Sequence, residues 1–258
     1  MNKTIIANWK MSPATPQEAQ ELFKFTMEQV SHLKREDLEV VVCPPFVFIE
    51  ELAKTLDENN SRDGKISLGA QDIFWEAKGA YTGEVSTTML KNFNITHVLI
   101  GHSDRRYVIG ESDEIINKKL KATLNAGIKP VLLIGEREVG DIKEDILIDQ
   151  VSRDLEGLTA SQVSQIMFAY EPVWAISTNP GAKPDTPENA SQTIRFINNI
   201  LVKNYQLESQ PFLYGGSVNE KNVSSFLSQP EINGAVIGGA SLRKEEFANM
   251  LKIVSLIQ

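Results

Sequence analysis

The feature that most constrains this fold is a repeat. Across 258 residues, short apolar runs recur about once every thirty residues, each followed by a segment of helical spacing, as in βα units feeding a parallel sheet. Strands are predicted over Thr4–Ala7, Glu39–Val42, Ile66–Ala70, His97–Ile100, Pro130–Ile134, Ile166–Tyr170, Phe212–Tyr214 and Ala235–Ile237. They are apolar nearly throughout, as strands covered on both faces must be. The third is the least so, containing Ser67 and Gly69. The helical segments carry one apolar stripe each: Ala19, Leu22, Phe23, Thr26, Val30 and Leu33 in the first, and Phe247, Met250, Leu251, Val254 and Ile257 in the last. Eight such units in a chain of this length predict an α/β fold of the (β/α)8 barrel class, one domain over 1–258. A doubly wound open sheet is the alternative, but no Gly-x-Gly-x-x-Gly follows the first strand and similar units consume the whole chain.

Composition narrows the function. With 41% hydrophobic and 23% charged residues the chain can bury a sizeable core. A formal charge of −8 argues against nucleic acid and anionic membranes as partners, so an anionic ligand needs a local arrangement that overrides the global field. One cysteine, Cys43, excludes an internal disulfide framework, and His32, His97 and His102 lack metal-ligand spacing. Neither metal nor cofactor is expected. Met1–Lys10 is too short and polar for a signal peptide and no apolar run approaches membrane-spanning length, so a cytoplasmic location is expected.

In a closed barrel the reactive groups gather where strands run into the following loops. After the first strand stands Asn8-Trp9-Lys10, after the fourth Gly101-His102-Ser103-Asp104-Arg105-Arg106, and after the sixth Glu171-Pro172. After the seventh and eighth come Gly215-Gly216-Ser217 and Gly238-Gly239-Ala240-Ser241. Glu171 ends an apolar run, a setting partly out of water that suits a base for a weak carbon acid. Taken singly, each is ordinary: a wet loop carboxylate, a solvated lysine, a structural histidine, a glycine turn. Two successive glycine loops after strands seven and eight, however, are where such barrels gather backbone N–H groups around phosphate. That predicts an anion site without an arginine clamp.

These motifs carry a resemblance that runs from Lys3 to Ile257. Asn8-Trp9-Lys10, Gly79-Ala80-Tyr81-Thr82-Gly83-Glu84, Gly101–Arg106, Ala169–Ile176, Tyr214–Val218 and Gly238–Leu242 stand in the order found in triosephosphate isomerases, and the sequence resembles that family. The resemblance implies interconversion of dihydroxyacetone phosphate and D-glyceraldehyde 3-phosphate through an enediol(ate). It implies Glu171 as base, His102 as a neutral imidazole electrophile, Lys10 as electrostatic stabiliser and Asn8 as an orienting amide; the glutamate and histidine roles are the family's known assignment. Phosphate is expected on the backbone N–H groups of Ser177, Ser217, Gly238 and Gly239, under a lid running from Pro172 to about Gly181. By itself Gly79–Glu84 reads as an exposed turn with a hairpin tendency. In the family that loop enters a second subunit, which implies a homodimer with Thr82 as a supporting residue.

Three departures stand out. Ile176-Ser177-Thr178-Asn179-Pro180-Gly181-Ala182-Lys183-Pro184-Asp185 is longer than the family's lid and holds two prolines, which predicts slower or differently timed closure. Asp104 replaces the family's glutamate and is expected to orient Lys10 or the adjacent arginines. Leu133 replaces a cysteine and is expected to pack near Glu171. None removes a reacting group. A barrel that binds sugar phosphate without turnover is the alternative function, and a barrel enzyme of another pathway, such as an aldolase, is a third. A mere binder gains nothing from a base placed for a C–H bond, and no strand lysine suited to a Schiff base is evident in the middle of the chain.

Overall fold

The computed structural model describes residues 3–35, 37–58, 65–140 and 143–257; the two ends of the predicted 1–258 span lie outside them. Its strands are β1 (Lys3–Asn8), β2 (Leu38–Cys43), β3 (Ile66–Ala70), β4 (His97–Ile100), β5 (Lys129–Ile134), β6 (Met167–Tyr170), β7 (Phe212–Tyr214) and β8 (Ile232–Ile237). All pair in parallel with their sequence neighbours, and β1 also pairs with β8, Thr4 opposite Gly234 through Ala7 opposite Ile237. The sheet therefore closes into a barrel in strict chain order. The open doubly wound alternative is excluded.

Five strand starts differ from expectation: β1, β2 and β5 each begin one residue early, and the starts of β6 and β8 have local causes. Ile166 closes the short helical turn before β6, donating its N–H to Val163 O, and so cannot begin the strand. β8 begins earlier than the apolar run because Asn233 uses its side chain to accept the N–H of Phe212, satisfying a polar residue inside the wall. The helices alternate with the strands as α1 (Pro16–Ser31), α2 (Ile49–Glu58), α3 (Thr87–Lys91), α4 (Asp113–Asn125), α5 (Lys143–Asp154), α6 (Ala160–Val163), α7 (Pro187–Tyr205), α8 (Val223–Leu227) and α9 (Lys244–Leu256). In α1 the start is written locally: Thr15 and Glu18 form a capping box, with Pro16 in the first turn. Its predicted stripe from Ala19 to Val30 is buried, as is the α9 stripe from Phe247 to Val254.

The period-2 alternation of the strands divides the core. Ile6, Val41, Leu99, Leu133, Ala169 and Val236 belong to an inner cluster that fills the barrel, whereas Ile5, Val40, Ile100, Leu132, Phe168 and Ile237 belong to the shell packed beneath the helices. Continuing the inward alternation two residues beyond Leu99, Leu133, Leu213 and Val236 lands on Gly101, Gly135, Gly215 and Gly238. On the first and sixth strands it lands on Asn8 and Glu171. The rung above the packed core is thus half-emptied of side chains. Room for a small guest is created directly over the barrel floor.

Candidate active site

Glu171 leaves β6 with its N–H donated to Ile134 O at 2.8 Å. A side chain at Gly135 could not coexist with this path, since its Cβ would lie 1.9 Å from Glu171 O. The carboxylate is 3% exposed and meets three donors or potential donors. Ser103 N donates to Oε2 at 2.8 Å, Ser103 Oγ donates to Oε1 at 2.9 Å, and His102 Nε2 lies 3.2 Å from Oε1. On the other edge of the imidazole, Asp104 N donates to Nδ1 at 3.0 Å. Nδ1 is therefore an acceptor, and the ring's own proton sits on Nε2, facing the carboxylate.

Lys10 occupies the left-handed region at φ 52, a costly conformation for a lysine of about 1–3 kcal/mol. Its neighbours over-determine it. Asn8 Oδ1 accepts Lys10 N at 3.0 Å, and Gln71 Nε2 donates to Lys10 O at 2.8 Å and to Cys43 O at 2.9 Å. The ammonium pairs with Asp104 Oδ2 at 3.1 Å. The arginines are not partners of Asp104: Arg105 pairs with Asp72 and Glu111, and Arg106 with Asp113 and Asp154. The choice left open for Asp104 in the sequence resolves to Lys10.

At the far wall, Gly238 and Gly239 lead into the 3-10 turn Gly239–Leu242, so their N–H groups lie at its open end. Ser177 N donates to Ser217 Oγ at 2.6 Å, placing the lid against the seventh loop. Among the described non-glycine residues only Lys10, Asn94 and Gln206 have left-handed backbone, so a serine fits at position 177 without strain. The lid's extra length is taken up by a turn in which Pro180 precedes Gly181 at φ 75, and Lys183 N donates to Trp174 O at 3.0 Å across the loop's base. Leu133 lies in the inner cluster beside Ala169, its strand partner.

Asn8, Lys10, His102, Glu171, Ser177 and Gly238 line one cavity of about 360 Å³. A cleft of about 490 Å³ lies on the other side of the lid, between Tyr107, Arg137, Trp174 and Lys183. It lacks the facing Glu171 carboxylate and His102 imidazole that line the smaller space. Arg243 also borders that space, with Nη1 donating to Gly239 O at 3.1 Å. The loop after β8 bends through its 3-10 turn and brings the Arg243 guanidinium back over Gly239. Two predicted supporting residues lie outside the cavity: Asp104, which borders the neighbouring cleft, and Thr82, on an exposed segment whose base is closed by Phe74 N donating to Val85 O at 2.8 Å. That segment has turns but no hairpin strands. Sequence reasoning missed Gln71, Arg243 and the seating role of Ser103. Of these only Gln71 left a trace, continuing the inward alternation of Ser67 and Gly69.

The triosephosphate isomerase family model matches residues 3–254. The chain belongs to the triosephosphate isomerase family. It is 44% identical over 257 residues to the triosephosphate isomerase of Dictyoglomus thermophilum, covering 97% of this chain and 98% of the relative. It is 42% identical to that of Caldanaerobacter subterraneus subsp. tengcongensis, again over 97% of the chain and 99% of the relative. The crystal structure of the triosephosphate isomerase from Bartonella henselae superposes with a TM-score of 0.82 at 30% identity, covering 98% and 99% of the two chains. Triosephosphate isomerase is an aldose–ketose isomerase, and this chain interconverts dihydroxyacetone phosphate and D-glyceraldehyde 3-phosphate, a step of glycolysis. Among the described residues no helix is long and apolar enough to cross a membrane, and no group of three or more His, Cys, Asp or Glu could hold a metal ion.

Proposed function

We propose that the triose reaction runs between Glu171, His102 and Lys10 within a single barrel domain, without metal or cofactor. The observation that carries this reading is the 3.2 Å approach of Glu171 Oε1 to His102 Nε2 at the wall of a cavity that Lys10 also lines. Glu171 takes a proton from C1 of dihydroxyacetone phosphate, the C–H electrons become the C=C bond of the enediol(ate), and the carbonyl oxygen gains the charge. His102 Nε2–H and the Lys10 ammonium stabilise that oxygen, and Asn8 fixes the loop that presents Lys10. Glu171 then returns the proton to C2 while the C1 hydroxyl proton passes to the C2 oxygen by way of His102 Nε2, which leaves the aldehyde at C1. Because Ser103 holds the carboxylate by two bonds, Glu171 must leave them to reach a carbon.

The ester end is held by the N–H groups of Ser177, Ser217, Gly238 and Gly239, and the Pro172–Gly181 segment closes over it to exclude water, since an exposed enediolate expels its phosphate. The same reading includes a cytoplasmic homodimer. Tyr81 is 45% exposed on the Gly79–Glu84 loop, and Met11 is 96% exposed beside Lys10, apolar surface suited to burial against a second copy. In that dimer Thr82 stands beside the partner subunit's Lys10 and supports it.

A coupled assay with glyceraldehyde 3-phosphate, run beside a solution-mass measurement, tests the reading. Glu171→Asp is expected to lower kcat by about a hundredfold or more while inorganic phosphate inhibits as before, because the base retracts and the anion site does not. An unchanged rate removes Glu171 from the mechanism. A mass of one subunit at working concentration removes the dimer.

A further inference from the structure

Each end of the Pro172–Gly181 lid is moored to the barrel by a side chain, and the two moorings converge on one cation. At the first end Trp174 Nε1 donates to Glu136 Oε1 at 2.8 Å, an oxygen that also accepts the Tyr170 hydroxyl at 2.8 Å. Beyond the second end Asp185 Oδ2 accepts the Tyr214 hydroxyl at 3.0 Å, and Oδ1 accepts Asn189 Nδ2 at 2.6 Å. Lys143 stands between the two. Its Nζ lies 3.8 Å from Glu136 Oε1, donates to Asn189 Oδ1 at 3.2 Å, and sits 5.5 Å from the centre of the Tyr170 ring.

From this geometry we propose that Lys143 is a positioning residue for the isomerisation, coupling the two ends of the lid so that they are released and reseated together. The main-chain bond from Lys183 N to Trp174 O makes the loop's ends one body. It does not say where on the barrel that body rests. The side-chain path from Trp174 through Glu136, Lys143 and Asn189 to Asp185 does, because every member between the lid's ends belongs to β5's loop, α5 or α7 and stays with the scaffold. Glu136 is fully buried, so an ammonium within 4 Å of its carboxylate acts where water screens poorly, and the same ammonium orients the Asn189 amide toward Asp185. Asp185 lies within the lengthened stretch that follows the lid, which gives the buried Tyr214 hydroxyl a carboxylate partner. A lid that carries extra residues is thereby given two fixed ends and one common tether.

This inference rests on the lid reading above, and the test separates the two. Trp174→Phe, Asp185→Asn and the double variant are compared with and without Lys143→Met, by kcat/KM for glyceraldehyde 3-phosphate. With Lys143 present, the double variant is expected to lose at least threefold less than the product of the single losses, because either change already frees the shared tether. In the Lys143→Met background the losses multiply, and Lys143→Arg restores the coupling. Multiplicative losses with Lys143 present overturn the proposal. Glyceraldehyde, which has no phosphate for a lid to cover, is turned over equally by all the variants; a parallel loss there marks general structural damage and also overturns it. If the end variants leave glyceraldehyde 3-phosphate turnover untouched, the lid assignment itself falls, and this inference with it.

Discussion

Ser103 grips Glu171 with both of its donors, the main-chain N–H on Oε2 at 2.8 Å and the hydroxyl on Oε1 at 2.9 Å. The acid is therefore parked beside His102, and the Ser103 hydroxyl sets part of the cost of leaving. A hydrogen bond to a charged group is worth about 1.5–3 kcal/mol. Ser103→Ala deletes one bond and keeps the other, so it shifts the parked position without removing a reacting atom. Because Ser103 N still holds Oε2, only part of that worth reaches the barrier, and kcat/KM is expected to change by roughly tenfold or less, below the effect of Glu171→Asp. A loss as large as that of Glu171→Asp would make the Ser103 hydroxyl part of the proton path.

Lys10 and Asp104 form a pair that is 30% and 49% exposed, so its worth to stability is small, about 0–1 kcal/mol. Its worth to placement is larger, because the carboxylate holds the ammonium of a residue already fixed in a left-handed conformation. Asp104→Ala is expected to leave the melting temperature within about 2 °C of the parent and to raise KM severalfold. Lys10→Ala is expected to weaken inhibition by inorganic phosphate as well as the rate. Thermal melts and phosphate titrations check both, and phosphate inhibition indifferent to Lys10→Ala would refute its electrostatic role.

The barrel was legible because the apolar runs and their spacing impose it, and the motif residues were legible because they sit at strand ends. What could not be read was set by chain paths in the third dimension. Asp104 had three cations within reach in sequence, and only the fold shows that Arg105 and Arg106 turn outward to Glu111, Asp113 and Asp154. Arg243 lies four residues past Gly239, and nothing in its neighbours says that a 3-10 turn returns it to the cavity. Lys143, Asn189 and Asp185 meet across α5, α7 and a loop, with no shared period to announce it.

With the ester end proposed against Gly238 and Gly239, Arg243 adds charge beside it. Its guanidinium is paired with Glu246 and 60% exposed, so its contribution to affinity is screened. Arg243→Gln is expected to raise KM and the inhibition constant of inorganic phosphate about two- to fivefold, to leave kcat nearly unchanged, and to flatten the fall of kcat/KM with added salt. Kinetics across a range of ionic strength decide the matter, and an unaltered salt slope would confine Arg243 to packing its own turn.

At the opposite end of the barrel His97 is 1% exposed, and burial first and the nearby Lys129 second depress its pKa to about 3. Thr96 Oγ1 lies 2.8 Å from Nδ1 and Glu39 Oε1 lies 3.8 Å away, too little to hold a proton there. The unfolded chain binds that proton near pH 6.5 and the folded chain does not, so stability from this residue is full above pH 6.5 and drains as pH falls toward 3. Between pH 7 and pH 5 the loss is roughly 2 kcal/mol. His97→Gln cannot bind the proton in either state, so its unfolding free energy is expected to fall by that much less over the same interval. Equilibrium urea unfolding at fixed protein concentration measures the two slopes. Parallel slopes would mean that His97 takes up its proton in the fold, with Glu39 as the partner that allows it.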